Sequence, residues 1–292
     1  MNIWNKVVSK LSKLFSKKSK SSKKKLFELN SKHLKRKVII ELYLPTSEDG
    51  EWSALLLNDG QDAEALNLSS THQKFCEQHQ LLIAAIHASD RLAEYGTPDI
   101  LDYQGRGQKS AAYQQFIIAE LLPNLRMNYP ISASIKKIGL AGFSLGGLSA
   151  VAIAMNNPAV FGLVGVFSGA LWWRSKVFEQ SNPDANRIIH SIANGLADAP
   201  QKKNSNSPRF WFQTGTADET EDRNNNGVID AIDDTLDLIN ILKAKIPYDE
   251  YHLKYVEVEN GRHEPNTWSK ELYGFLEWGY GQKNKKLRPK SE

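Results

Sequence analysis

A chain of 292 residues with 41% hydrophobic and 24% charged residues has the composition of a folded globular protein and the length of one large domain or two small ones. It contains no apolar run long enough to cross a bilayer as a helix, and its single cysteine, Cys76, excludes an internal disulfide framework and any multi-cysteine metal site. The net charge of +4 averages two unlike parts: residues 1–37 hold thirteen Lys/Arg against one acid, Glu28, so the rest is net acidic and no nucleic-acid partner is expected of it.

The chain divides into a basic tail over 1–36, one domain over 37–281 and a charged end over 282–292. In the tail, Ile3, Trp4, Val7, Val8, Leu11, Leu14 and Phe15 recur at helical spacing among lysines. This is the pattern of an interfacial helix with a polybasic extension, which would contact a membrane surface peripherally; a solubilising arm is the plainer reading. Lysines interrupt the apolar residues and no small-residue cleavage site follows, which does not fit a cleaved signal. The expected location is the cytoplasm, with peripheral contact at the membrane surface.

From residue 37 the texture alternates. Val38–Leu44 reads as a strand stopped by Pro45, Ala54–Leu57 as a strand ending in the turn Asn58-Asp59-Gly60, and Leu81–Ile86 as another strand. Lys109–Met127 has helical spacing, Ile138–Ala141 is a strand, and Leu145–Met155 is a run of small helix formers. Leu163–Phe167 and Phe210–Phe212 read as buried strands, Ala231–Leu242 as an amphipathic helix, Tyr251–Val258 as a strand and Trp268–Trp278 as a closing helix. Apolar strands alternating with helices predict an α/β fold, a mostly parallel central sheet with helices on both faces. The polar stretch 175–207 is read as an insertion or cap.

Between a strand and a helix stands Gly142-Phe143-Ser144-Leu145-Gly146-Gly147. A serine on so sharp a turn needs minute neighbours, which Gly142 and Gly146 supply. The turn lifts the hydroxyl above the sheet edge, and the N–H of Leu145 becomes an oxyanion donor. Such a nucleophile needs an acid and then a histidine later in the chain. His263, in Gly261-Arg262-His263-Glu264-Pro265 between the last strand and helix, is the candidate base; His252 falls inside a strand pattern and reads as structural. The loop after Phe210–Thr214 offers Asp218 as the orienting acid, with Glu219 second. The second oxyanion amide is expected from Gly60 or Gln61. Trp172 and Trp173 follow a strand at the same edge and are candidate substrate-wall residues, as is Tyr95; core packing is the equal alternative for the tryptophans. Cys76 is read as an apolar filler with no histidine partner.

These pieces together resemble the putative esterase family of α/β-hydrolases, which includes enterochelin esterases, S-formylglutathione hydrolases and feruloyl esterases. The likeness is carried by Leu42-Tyr43-Leu44-Pro45, Asn58-Asp59-Gly60-Gln61, Glu94-Tyr95-Gly96-Thr97, the serine turn, Phe167-Ser168-Gly169, Gly215-Thr216-Ala217-Asp218 and Gly261-Arg262-His263. It implies the α/β-hydrolase fold, serine-dependent hydrolysis of a small-molecule carboxylic ester without a catalytic cofactor, and the roles of nucleophile, acid and base for Ser144, Asp218 and His263. Acyl transfer on the same fold and a non-catalytic membrane-associated binding module are the rival readings.

One motif stands apart from that resemblance. Asp222, Asn224, Asn226, the Val228 carbonyl, Asp230 and Asp233 have the spacing of a calcium loop, with Gly227 at its sharp turn and Asp233 where Glu is usual. Eight carboxylates between Asp218 and Asp237 face one local cation, Arg223, which favours a structural Ca2+ in the loop 222–233.

Overall fold

The computed structural model describes residues 23–47, 50–98, 100–192, 207–246 and 249–281. The expected interfacial helix and the charged C-terminal end lie outside them. Eight strands form one sheet: β1 (Lys23–Ser31), β2 (Arg36–Leu44), β3 (Ser53–Asn58), β4 (Leu81–Ile86), β5 (Ile138–Phe143), β6 (Leu163–Phe167), β7 (Arg209–Ala217) and β8 (Leu253–Arg262). Their order is β1-β2-β4-β3-β5-β6-β7-β8. β1 and β2 form an antiparallel hairpin, β2 runs antiparallel to β4, and every later pairing is parallel.

The helices are α1 (Leu68–Phe75), the short α2 (Arg91–Glu94), α3 (Ser110–Gln115), α4 (Leu122–Asn128), α5 (Leu145–Asn156), the short α6 (Ile189–Ile192), α7 (Asp230–Lys243) and α8 (Pro265–Tyr280). α3 and α4 are joined by a π-helical turn, Phe116–Leu121, whose wider winding precedes Pro123, a residue with no N–H to give its own helix. One sheet face packs against residues of α3–α5 and α7, the other against α1 and α8. Every residue of β4, β5 and β6 is buried, which is why these strands read as unbroken apolar runs.

One expected boundary is corrected. The sheet begins at Lys23, inside the stretch assigned to the basic tail. β1 is an edge strand in which Phe27 and Leu29 pack toward the core, while Lys24 pairs with Glu41 at 2.8 Å and Lys37 of β2 with Glu28 at 2.9 Å. Lysines on an edge strand guard it against pairing with other chains, and the same lysines disguise it as a tail.

Candidate active site

Parallel strands deliver their following loops to one edge, and the expected residues follow β3, β5, β6, β7 and β8 there. Ser144 has φ 52° and ψ −120°, a conformation strained for any residue with a side chain. It is held there from three sides. Its N–H donates to the Phe167 carbonyl at 2.9 Å, and its own carbonyl accepts from Gly147, Leu148 and Ala170 at 3.0–3.1 Å. A Cβ on Gly142 would run into the Gly146 carbonyl, and one on Gly146 into the Asp59 carboxylate, so the steric reason for both glycines holds. α5 starts at Leu145, whose N–H is among the helical amides without an intrahelical acceptor.

The loop after β3 is clamped against this turn. Asn58 donates through Nδ2 to the Gly146 carbonyl at 2.7 Å and accepts from the Tyr113 hydroxyl at 2.6 Å. Asp59, left-handed at φ 61°, opens a 3-10 turn over Gly60–Asp62, which leaves the first amides, Gly60 and Gln61, without acceptors inside the turn. The buried Asp59 carboxylate takes Arg91 Nε at 2.8 Å and Nη2 at 3.2 Å, and the same Nη2 lies 3.2 Å from the Phe143 carbonyl. A guanidinium therefore stands fixed beside the residue that precedes Ser144. The signal in the sequence for the role of Arg91 is Asp59 at the end of β3, a carboxylate placed to take a cation.

His263 follows β8 and presents Nδ1 to Asp218 Oδ1 at 4.0 Å. That is longer than a hydrogen bond, and such contacts tighten when substrate binds. Asp218 is buried; its Oδ2 accepts from the Gly215 N–H at 2.9 Å, and its Oδ1 has no hydrogen-bond partner among the described residues. Partial burial of the imidazole lowers its pKa, the Asp218 charge pulls it back up, and Arg91 lowers it again, so the net direction is down, which favours the neutral ring a general base needs. The edge of His263 meets Trp268 at 5.2 Å; Trp268 stacks on Phe143 at 5.3 Å and donates through Nε1 to Ser168 Oγ at 2.9 Å. Trp268, read from sequence only as part of a helix, thus links the serine turn to the histidine loop. Glu219 does not compete for the histidine: it takes the backbone of Ala231 at the start of α7, and burial pushes its pKa up to about 7.

The three candidate wall residues separate. Trp172 is 37% exposed with the Arg106 guanidinium 5.0 Å from its ring, and Asp102 fixes that arginine. Trp173 is fully buried, and Tyr95 is buried with its hydroxyl accepting the Asp59 N–H at 2.9 Å. Both are supports, not walls, because neither ring is exposed; a Cβ on Gly96 would touch the Trp173 ring, so the backbone closes over that one. Cys76 does have a histidine neighbour, contrary to expectation. His72 Nε2 lies 3.3 Å from its sulfur, one helical turn back. Burial pushes the thiol up to about 11 and the imidazole down to about 4, so both stay neutral and the pair is packing.

In the acidic loop the carboxylates have partners from distant parts of the chain as well as from the loop itself. Among the described residues no group of three or more His, Cys, Asp or Glu is arranged to hold a metal. Asp230 accepts the Arg223 N–H at 3.0 Å and pairs with its guanidinium. Asn224 and Asn226 donate their amides to Asp233 at 3.1 and 2.8 Å, and Asp222 accepts the N–H groups of Asn226 and Gly227. Arg187, from the stretch read as an insertion, joins Arg223 in neutralising Asp234 and Asp237. The count of one local cation missed it because it lies more than thirty residues upstream.

Comparison with known proteins matches residues 31–278 to the family described as Putative esterase. The chain belongs to the putative esterase family. With membership comes the coarse chemistry, carboxylic-ester hydrolysis by a serine hydrolase, and the fold is the α/β-hydrolase fold. An uncharacterized protein of Bacillus subtilis, YbbA, is 26% identical over 168 residues, 52% of this chain and 66% of that one. A ferulic acid esterase structure superposes with TM-score 0.63 at 17% identity, over 89% of this chain and 98% of that chain. The enterobactin esterase FES from Shigella flexneri, solved with 2,3-di-hydroxy-N-benzoyl-serine, gives TM-score 0.64 at 19% identity over 87% of this chain and 59% of its own. The chain thus spans about three fifths of the length of that enzyme.

Proposed function

We propose that this esterase cleaves its ester through an acyl-enzyme on Ser144, with His263 as general base and Asp218 as the acid that orients it. The observation that carries the reading is the strained serine at the head of α5 on the same sheet edge as a buried, half-partnered carboxylate facing an imidazole. Ser144 Oγ attacks the ester carbonyl as its proton passes to His263. The carbonyl oxygen gains negative charge, which the N–H groups of Leu145 and of the Gly60–Gln61 segment stabilise by donating hydrogen bonds, while Arg91, paired with Asp59, holds that segment against the serine turn. The tetrahedral adduct collapses as His263 returns the proton to the leaving alkoxide, and water, deprotonated by the same ring, releases the acid. Transfer to an alcohol or thiol would differ only in the acceptor that replaces water.

Exposed Trp172, backed by Arg106, offers a flat surface for an aryl or extended apolar acyl group, and the aromatic ligand of the Shigella flexneri enzyme supports the aryl choice. The N-terminal segment carries the proposal of peripheral contact with an anionic membrane surface. For the loop 222–233 the proposal is a structural Ca2+ held by the ring of Asp222, Asn224, Asn226 and Asp233 with the Val228 carbonyl. Their mutual hydrogen bonds support it, and Asp230 would have to leave Arg223 to join. The catalytic reading is tested with a fluorophosphonate and peptide mass spectrometry: one label per chain, on Ser144, is expected, and a label elsewhere or none overturns it.

A further inference from the structure

Two buried arginines lie between the segment after β6 and the loop after β7. Arg187 and Arg223 side chains are 2% and 4% exposed, and Asp234 of α7 is 1% exposed. Arg187 pairs with Asp234, with Asp237 at 2.7 Å and with Asp184 at 3.0 Å. Arg223 pairs with Asp234 at 2.7 Å, with Asp184 and Asp230 at 3.0 Å, and approaches Asp237 at 3.8 Å. Asp184 and Asp234 are therefore each shared by arginines from different loops.

The network has a direction. The stretch 173–188 is closed at its base by the Ile188 N–H on the Trp173 carbonyl and by the Ser175 N–H on the Asn186 carbonyl. Arg187 bolts that closed stretch to α7. Arg223 bolts the loop that begins at Asp218 to the same helix, helped by the Asp230 N–H on the Glu221 carbonyl. Asp218 itself is anchored by one hydrogen bond at its Oδ2, and its other oxygen waits 4.0 Å from His263. A buried charge network of this kind adds little net stability over an apolar filling of the same shape, but removing one partner leaves a buried charge unpaired. What it supplies is a fixed register between elements.

We propose that Arg187 and Arg223 are positioning residues that hold the Asp218 loop, and with it the His263–Asp218 contact, in catalytic register against the Trp172-bearing segment. The inference rests on Asp218 being the orienting acid. Neither arginine touches the reacting atoms; they act through the loop that the network pins.

The test uses the full chain and p-nitrophenyl ester turnover across pH, with each variant checked as folded by circular dichroism. Arg223→Gln should lower kcat by about 10- to 100-fold with KM changed by less than about threefold, the scale of an ångström misplacement. The acid limb of its kcat/KM profile should move to lower pH, because an imidazole deprived of its carboxylate binds its proton less tightly. Arg223→Lys should restore part of kcat. The paired variant Arg187→Met/Asp234→Leu removes one charge of each sign and fills the space with carbon, so it keeps the fold if Arg223→Gln does not, and should show the same loss and the same shift. Folded variants with wild-type kcat, or a loss that follows the folded fraction with an unmoved acid limb, would overturn the proposal. Asp218→Asn run alongside separates the two readings. Disabled Asp218→Asn beside unaffected network variants overturns the network alone; fully active Asp218→Asn overturns the acid assignment and the network with it.

Discussion

Replacing Asp218 by Asn removes one negative charge from beside His263 and keeps the side chain's shape, including an oxygen to accept the Gly215 N–H. In the transition state the ring is an imidazolium, and two unit charges 4.0 Å apart attract by about 4 kcal/mol at an effective dielectric of about 20. Water at the half-exposed ring screens part of that, which leaves a loss of about 10²- to 10³-fold in kcat/KM. Glu219→Gln is the matched control. Glu219 faces the start of α7, and with its pKa pushed up to about 7 by burial it is already partly neutral near pH 7, so the amide should cost less than about threefold. The assay is kcat/KM for p-nitrophenyl acetate from pH 5 to 9, with melting temperatures to confirm folding. The wild-type acid limb should lie below the ordinary histidine value, since the His263 pKa is lowered, and should move lower still in Asp218→Asn. Equal losses in the two variants, or a larger loss in Glu219→Gln, would refute the assignment.

Three further outcomes follow from the same geometry. Arg91→Gln should lower kcat by about 10²-fold with little change in KM, because it frees the Asp59 turn that carries the Gly60–Gln61 amides; an effect confined to KM would place Arg91 in substrate binding alone. Calcium should raise the melting temperature and a chelator lower it, and indifference to both would leave the loop 222–233 metal-free. Buried His72, whose pKa falls from 6.5 to about 4 on folding, contributes stability that is full above pH 6.5. As pH drops, the unfolded chain binds the proton first, and about 3 kcal/mol is lost by pH 4. Urea midpoints across that range should fall in the wild type and fall less in His72→Gln; parallel curves would remove the explanation.

The sequence was most informative where a local steric rule leaves few choices. β5, the serine turn and α5 were readable because strain at one residue demands glycines two places either side, and β4 and β6 because a strand buried on both faces is apolar throughout. β1 escaped because an edge strand needs only Phe27 and Leu29 inside and protects itself with lysines. The fates of Trp172 and Trp173 were open for a related reason: both positions suit a large ring, and only the backbone folding of Gly96 over one of them decides which is buried. Pairings across long chain separations were invisible, and they changed the reading of the acidic loop most, since Arg187 supplies charge that the local count lacked. The Cys76–His72 contact was different: its spacing of four on a helix was present in the sequence and is the ordinary signature of neighbours on one face.

On the proposed mechanism the chemistry passes through Ser144. Its most direct test is hydrolysis of short, medium and aromatic p-nitrophenyl esters by the full chain beside its Ser144→Ala form, with both shown to fold alike. Turnover by the wild type that falls to background in Ser144→Ala is the predicted result, and the preferred acyl group would then define the surface at Trp172. Turnover that survives in Ser144→Ala would contradict the account.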